Sequence, residues 1–369
     1  MIRTEFEVVV VGGGPAGSVA AKKCAQEGLK TLLLEKHKLP RKKVCTGMIM
    51  SEVSQTLVRE EFGDPPEGVL TSPPNLLGIK FRVPDVETLT FEHRMPFTWR
   101  KDFDYWMNRV AQGVGVELWD KTDVKTIMEE PKGYILSIAR EGEPHSIQAR
   151  FLIGADGTLS AVRKALFPEV EMGYQLCIRQ CYQGSLDLEP TYVHYFYLPD
   201  LTGFAVNFKG DLFLLEMTPR SDQGDGSDIV RKAEAWLAKD FSFSPGTKPL
   251  WRDGCYEPSM GRKPFSGAFP LAKENVLLVG NAAGLIKPIT GEGIGTAMKS
   301  GLMAAEAVIQ ANKKEEKAEK FYLPMAQDMV STLGRMYPPH GKIREAAKKG
   351  MDYFLVTFKE IFSGITSTL

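Results

Sequence analysis

An apolar run from Phe6 to Val11 leads straight into Gly12-Gly13-Gly14-Pro15-Ala16-Gly17, and this junction constrains the fold more than any other stretch of the chain. The run is short and unbroken, as expected of a parallel strand buried on both faces. Ser18 to Gly28 reads as an Ala-rich helix ended by Gly28. Thr31 to Leu34 is a second apolar run, closed by Glu35. This is the opening of a βαβ unit. In such a unit Gly12 permits the tight turn, Gly14 lets a pyrophosphate approach bare backbone, and Gly17 lets helix and strand pack closely. The helix start offers unpaired N–H groups and the positive end of its dipole to phosphates. A carboxylate at Glu35 accepts hydrogen bonds from ribose hydroxyls and disfavours a 2′-phosphate. The pattern suits NAD and FAD alike.

Composition narrows the remaining choices. The chain has 369 residues, 43% hydrophobic and 25% charged, enough for two or three domains with a large core. Lys plus Arg and Asp plus Glu each total 46, so the basic excess that marks nucleic-acid binding is missing. The five cysteines, Cys24, Cys45, Cys177, Cys181 and Cys255, are odd in number and scattered, which reads as reduced thiols in a cytoplasmic protein. Cys177 and Cys181 have no second pair or His cluster beside them, so no metal site is expected. The N-terminus lacks a signal-peptide pattern, and no window approaches the ~20 apolar residues of a membrane span.

Along the chain, a basic loop (Lys36, His37, Lys38, Arg41, Lys42, Lys43) follows the second strand. It reads as solvated surface, with a docking patch for an acidic partner as the alternative. Leu77 to Phe97 reads as short antiparallel strands, and Lys101 to Gln112 as an amphipathic helix. Val116 to Leu118, Val124 to Met128, Tyr134 to Ile138 and Phe151 to Ile153 read as strands. Aromatic and β-branched residues dominate from Glu171 to Gly254, a mostly antiparallel sheet with a helix near Ile229 to Lys239. Val276 to Val279 returns to the parallel pattern, and a long helix follows Gly293. The expected architecture is α/β: a discontinuous Rossmann-like dinucleotide domain (1–75, 98–168 and 258–320), an inserted antiparallel sheet domain for substrate (76–97 and 169–257), and a helical C-terminus (321–369) broken at Pro338-Pro339.

Two later motifs decide between the dinucleotides. Gly154-Ala155-Asp156-Gly157, then Ser160, Val162 and Arg163, closes a buried strand. Val279-Gly280-Asn281-Ala282-Ala283-Gly284 is followed by Pro288 and Gly291-Glu292-Gly293-Ile294. With three ordered motifs, most of residues 5 to 310 resembles the flavoprotein family that includes aromatic-ring hydroxylases, flavin halogenases and geranylgeranyl reductases. The resemblance implies an FAD domain. Gly12, Gly14, Pro15, Ala16, Gly17, Glu35 and Lys36 match its ADP site, and Arg100 matches an Arg-x-x-Phe-Asp segment that contacts the cofactor. Asp156 and Gly157 would support FAD. Gly280 and Asn281 would meet the ribityl chain, with Asn281 where the family has aspartate. Pro288, Gly291, Gly293 and Ile294 would form the loop beside the isoalloxazine, whose N–H groups stabilise negative charge on the ring.

Lys43-Val44-Cys45-Thr46-Gly47 looks like the Lys-x-Cys-Gly-Gly segment of geranylgeranyl reductases, with Thr46 in place of one glycine. That likeness puts Lys43 and Cys45 near the flavin and Gly47 beside substrate. It makes Cys45 the one catalytic candidate, against the plainer reading of a small buried thiol. Gly203 to Lys209 is similar to the aromatic-Ala-Trp-x-Phe-Pro strand of the same reductases, but Val206 replaces the tryptophan and the proline is absent. Phe204, Val206 and Phe208, with Tyr195 and Tyr197, are expected to line an apolar pocket, and His194 is the one histidine placed near it.

The resemblance implies two candidate activities, and the departures at Asn281 and in the aromatic strand keep a third open. The first is reduction of a carbon–carbon double bond in an isoprenoid or other apolar substrate, with NADPH or NADH as donor. The second is a monooxygenase hydroxylating an aromatic or polyketide-like substrate. The third is an FAD-binding electron carrier serving a redox partner protein. A halogenase is not expected, because no Trp-x-Trp-x-Ile-Pro segment is present. The tail from Tyr353 to Phe362 is amphipathic and is read as packing on the body, with peripheral membrane contact as the alternative.

Overall fold

The structure is a computed structural model that describes residues 4–83, 87–198, 203–218, 226–244, 246–258, 270–288 and 290–366. Parts of the expected domain segments falling between these ranges lie outside the described residues. Strand β1 (Thr4–Val11), helix α1 (Pro15–Gln26) and strand β2 (Thr31–Leu34) form the expected βαβ opening. The helix starts earlier than Ser18, at Pro15, whose missing N–H and fixed φ suit the first helical position. Val8 to Val11 lie opposite Thr31 to Leu34 in parallel register. Val8, Val9 and Val10 are wholly buried, and at ~1.5–3 kcal/mol for each such side chain this strand anchors the domain.

Helix α2 (Glu52–Phe62) follows, capped by the Ser51 hydroxyl accepting from the Ser54 N–H. Strands β3 (Leu70–Arg82) and β4 (Leu89–Thr98) leave for a second sheet, and helix α3 (Arg100–Gly113) returns to pack on α1. Strands β5 (Glu117–Trp119), β6 (Thr122–Glu130), β7 (Gly133–Arg140) and β8 (Glu143–Gly154) rejoin the first sheet, followed by the short helix α4 (Ala161–Leu166). Strand β8 is parallel to β1 and antiparallel to β7.

The second sheet is completed by β9 (Tyr174–Gln183), β10 (Tyr192–Tyr197), β11 (Gly203–Lys209), β12 (Leu212–Met217) and β13 (Trp251–Pro258). Its order is β13-β9-β12-β11-β10-β3-β4, antiparallel except for the parallel pair β10–β3. Helix α5 (Gly226–Asp240) covers one face, where Phe204, Val206, Phe208 and Phe213 pack against Ile229, Ala233 and Leu237. The chain then closes the first sheet with β14 (Ala272–Lys273) and β15 (Val276–Leu278), giving the order β14-β15-β8-β1-β2-β5.

Helix α6 (Ile294–Lys314) crosses α1 closely: a Cβ on Gly301 would sit 2.4 Å from the Ala16 carbonyl. Helix α7 (Glu319–Lys349) runs through Pro338-Pro339 without the expected break, and the chain turns instead at Gly350, whose φ of +116° suits glycine. Helix α8 (Met351–Thr366) packs on the body, placing Phe354 and Phe358 against Tyr195, Tyr197 and Phe81 on the sheet face opposite α5. Among the described residues, no helix is long and apolar enough to cross a membrane.

Candidate cofactor and substrate site

The three glycine motifs, far apart in sequence, meet at one place. A Cβ on Gly12 (φ +110°) would fall 2.4 Å from the Ala155 carbonyl, and one on Gly17 would fall 1.9 Å from the Gly12 carbonyl. A Cβ on Gly280 would lie 3.2 Å from Ala297 and 3.5 Å from Ala16, so the third motif packs on α1 and α6. Arg163, fully buried, ties the second and third motifs together by donating to the Ala282 carbonyl (2.7 Å) and the Thr158 carbonyl (2.6 Å). Asp156 caps α4, with one oxygen accepting from the Ala161 and Val162 N–H groups at 2.6 and 3.2 Å.

The residues around the opening turn suit a dinucleotide. Gly14 caps α1 with no side-chain bond, and a Cβ there would meet only Arg41 Nη2, at 3.8 Å. The space over this turn is therefore open and edged by a cation. Glu35 is buried and accepts from the N–H groups of Gly13 (3.2 Å) and His37 (3.0 Å) and from Arg41 Nε (2.8 Å). A carboxylate has about four acceptor positions, so one remains for a ribose hydroxyl. Asn108 Oδ1 and Asp156 Oδ1 are buried beside the turn without a partner among the described residues. Such orphaned acceptors are what a bound ligand's donors would satisfy.

A charged cluster lies behind the turn. Asp104 pairs with Arg100 through both oxygens (2.7 and 3.0 Å) and with Arg41 Nη1 (3.0 Å). Burial alone would raise the Asp104 pKa, but the two guanidiniums hold it below the ordinary carboxylate range. Arg41 was read from sequence as solvated surface. The structure corrects this, because its side chain is 12% exposed and bridges Glu35 and Asp104. Lys36 is also corrected: it points outward, its exposed ammonium 3.4 Å from Asp123. Lys43 acts electrostatically on Cys255, helping to lower its pKa after the Cys177 hydrogen bond.

At the other end, the Gly291-Glu292-Gly293 loop is pinned from below. Buried Glu292 accepts from the hydroxyls of Ser51 (2.8 Å) and Ser54 and pairs with Lys287 (2.5 Å). Asn281 Oδ1 faces this loop, 3.5 Å from where a Gly293 Cβ would be. Pro288 and Ile294 are buried at its flanks. Sequence reading named Glu292 only as part of the loop motif and passed over Ser51 and Ser54. The Ser-Glu-x-Ser run opening α2 was the available signal, since it marks a helix N-cap.

The Cys45 segment lies between that loop and the second sheet. Gly47 (φ +87°) packs so tightly on Thr98 that a Cβ would sit 2.0 Å from its carbonyl. Cys45 lies beside the Arg100 guanidinium, and the Cys45 carbonyl accepts from Arg179 Nη1 at 3.0 Å. Buried Lys209 donates to the Thr46 and Thr98 carbonyls, both at 2.6 Å, over the rings of Phe97 and Trp99. Burial pushes the Lys209 pKa down to about 7. Thr46 donates to Glu216 at 2.5 Å.

Strand pairing decides which side chains face this segment. Tyr195 lies opposite Ala205, and Ala205 opposite Glu216, so these share the face that carries Lys209 and Asn207. Phe204, Val206 and Phe208 point the other way, into the core under α5. The expectation that these three line the pocket is therefore corrected, while Tyr195 and Tyr197 do face it. His194 is also turned to the α5 side, where Nδ1 accepts from Arg82 Nε (3.1 Å) and Nε2 bonds the Glu189 carbonyl (2.9 Å). Burial lowers its pKa to about 4, so it is neutral. The wall facing the Cys45 segment is thus polar at Asn207, Lys209 and Glu216, and aromatic at Tyr195, Tyr197, Phe81, Phe354 and Phe358.

Comparison with known proteins agrees with this geometry. Residues 5–177 match the family model described as an FAD binding domain. Digeranylgeranylglycerophospholipid reductase 3 of Methanosphaera stadtmanae is 29% identical over 94% of this chain and 88% of its own length. The Methanopyrus kandleri digeranylgeranylglycerophospholipid reductase 1 is also 29% identical, over 86% of this chain and 84% of its own. Among solved structures, a geranylgeranyl bacteriochlorophyll reductase-like protein from Thermoplasma acidophilum superposes with a TM-score of 0.78 at 19% identity, covering 94% of this chain and 88% of that one. That likeness concerns the fold.

Proposed function

Since this chain is an FAD-dependent oxidoreductase of the geranylgeranyl reductase-like kind, we propose that it reduces a carbon–carbon double bond of an apolar, isoprenoid-like substrate by hydride transfer from reduced flavin. The observation that carries this reading is the aromatic wall of Tyr195, Tyr197 and Phe81, closed by Phe354 and Phe358 of α8 on the same sheet face as the Cys45 segment. A hydrocarbon chain gains ~25 cal/mol for each Å² it buries against the part-exposed rings of Tyr195 and Tyr197.

Bound FAD supplies the two-electron chemistry, and this chain's residues do the rest. The turn at Gly12–Gly14, with Arg41 at its edge, holds the pyrophosphate. Glu35 takes a ribose hydroxyl. Asn281 would face the ribityl chain, and the loop pinned by Glu292 would present its N–H groups to the ring. Tyr195 keeps its proton, since burial raises its pKa before nearby Glu216 adds to the effect. The proton for the second carbon comes from an acid at the site or from water. The donor to FAD is NADPH, NADH or a reduced partner protein, and the chain works in the cytoplasm.

Anaerobic mixing of the photoreduced, FAD-loaded protein with a digeranylgeranyl glycerophospholipid tests the reading. The flavin reoxidises and the lipid gains two hydrogens per reduced bond. Retention of reduced flavin with this and other prenyl lipids, together with hydroxylation of an aromatic substrate once oxygen is admitted, refutes the reductase reading in favour of a monooxygenase.

A further inference from the structure

In sequence Cys177 stands four residues from Cys181, but the fold sets it beside Cys255. Cys177 on β9 lies directly opposite Cys255 on β13 in antiparallel register. Opposed residues of such a ladder have Cα atoms ~4.5 or ~5.5 Å apart, within the ~4.4–6.8 Å that a disulfide spans. The two thiols and the Glu257 carboxylate all lie within 4.8 Å of one another. Both cysteines are half-buried, so small solutes reach them, while Cys24 and Cys181 are buried. Their face of the sheet also carries Arg179 and Asp253 and meets the Lys43–Gly47 segment, where Cys255 Sγ lies 3.9 Å from the Val44 carbonyl.

We propose that Cys177 and Cys255 form a reversibly oxidisable thiol pair, a modification site under the Cys45 segment whose reactant is hydrogen peroxide. Cys255 is the attacking thiol. The Cys177 hydrogen bond lowers its pKa against the opposing effect of burial, with Lys43 and Arg179 assisting, and the same hydrogen bond raises Cys177. The Cys255 thiolate attacks one peroxide oxygen and the O–O bond breaks. This gives a sulfenic acid and, after protonation, water. The Cys177 thiol then attacks the Cys255 sulfur, a disulfide forms, and a second water leaves. Two thiols lose two electrons and two protons, and one peroxide is reduced to two waters. A soft divalent metal is the competing occupant of two thiols and a carboxylate, and co-purifying zinc would reveal it.

The test is differential alkylation and peptide mass spectrometry on the full chain after a small excess of hydrogen peroxide. The expected result is a Cys177–Cys255 linked peptide, loss of two titratable thiols, and recovery of both with dithiothreitol. In Cys177→Ser the reaction stops at a Cys255 sulfenic acid, trapped by dimedone. In Cys255→Ser the Cys177 thiol survives the same treatment. The proposal is overturned if the wild-type chain gives no such link, if Cys45 is oxidised first, or if stoichiometric zinc co-purifies and shields both thiols. None of these readouts needs a substrate, so the result stands apart from the reductase reading.

Discussion

Gly14→Ala folds as well as the parent chain and binds FAD at least ~tenfold more weakly, a loss of about 1.4 kcal/mol or more. The added methyl meets only Arg41 Nη2, at 3.8 Å, so nothing in the protein itself resists it. A pyrophosphate lying on the bare backbone at this turn does resist it. Gly17→Ala is the contrasting variant. Its methyl would fall 1.9 Å from the Gly12 carbonyl, forcing α1 away from β1. That clash destabilises the fold by ~1–3 kcal/mol or more and disturbs the turn as well. Thermal melts beside FAD titrations separate the two. Unchanged affinity in Gly14→Ala would place the phosphates elsewhere.

Asp104→Asn has the second large effect, this time on stability. Asp104 is wholly buried and compensates Arg100 and Arg41, themselves nearly buried. The asparagine keeps the shape but leaves Arg100 without a counter-charge and Arg41 with Glu35 alone, a loss of ~3–5 kcal/mol. The pH dependence carries the same signature. The folded Asp104 pKa is held below its ordinary value near 3.8. Its contribution is therefore fully present above that value and disappears as pH falls through the lower, folded one. Denaturant midpoints should differ by a constant amount from neutral pH down to about pH 4. Below that, the wild-type protein loses stability faster and the gap narrows. A gap that is small at neutral pH would show that the cluster is solvated.

The dinucleotide opening was readable because its signals are local. A buried strand, a glycine turn and a small-residue helix follow one another within β1–α1–β2, and register and glycine contacts agree with that reading. Arg41 was misread because its partners are Glu35, six residues back, and Asp104, sixty-three residues on, and a basic run carries no mark of the second. The substrate wall failed differently. In Gly203-Phe-Ala-Val-Asn-Phe-Lys209 the period of two is visible: Phe204, Val206 and Phe208 form one row, Ala205, Asn207 and Lys209 the other. Two polar residues in an otherwise apolar strand mark the row that faces a site. Likeness to an aromatic family strand drew attention to the wrong row. The Cys177–Cys255 pair was out of reach, since it depends on β13 returning beside β9.

The account rests on FAD seated between the opening turn and the Glu292 loop, and titration of flavin-stripped protein with FAD tests it most directly, followed by visible absorbance and protein fluorescence. Saturation at one flavin per chain, weakened in Gly14→Ala, is the predicted result. A protein that stays colourless at saturating FAD, or takes up flavin equally well with that methyl in place, would contradict it.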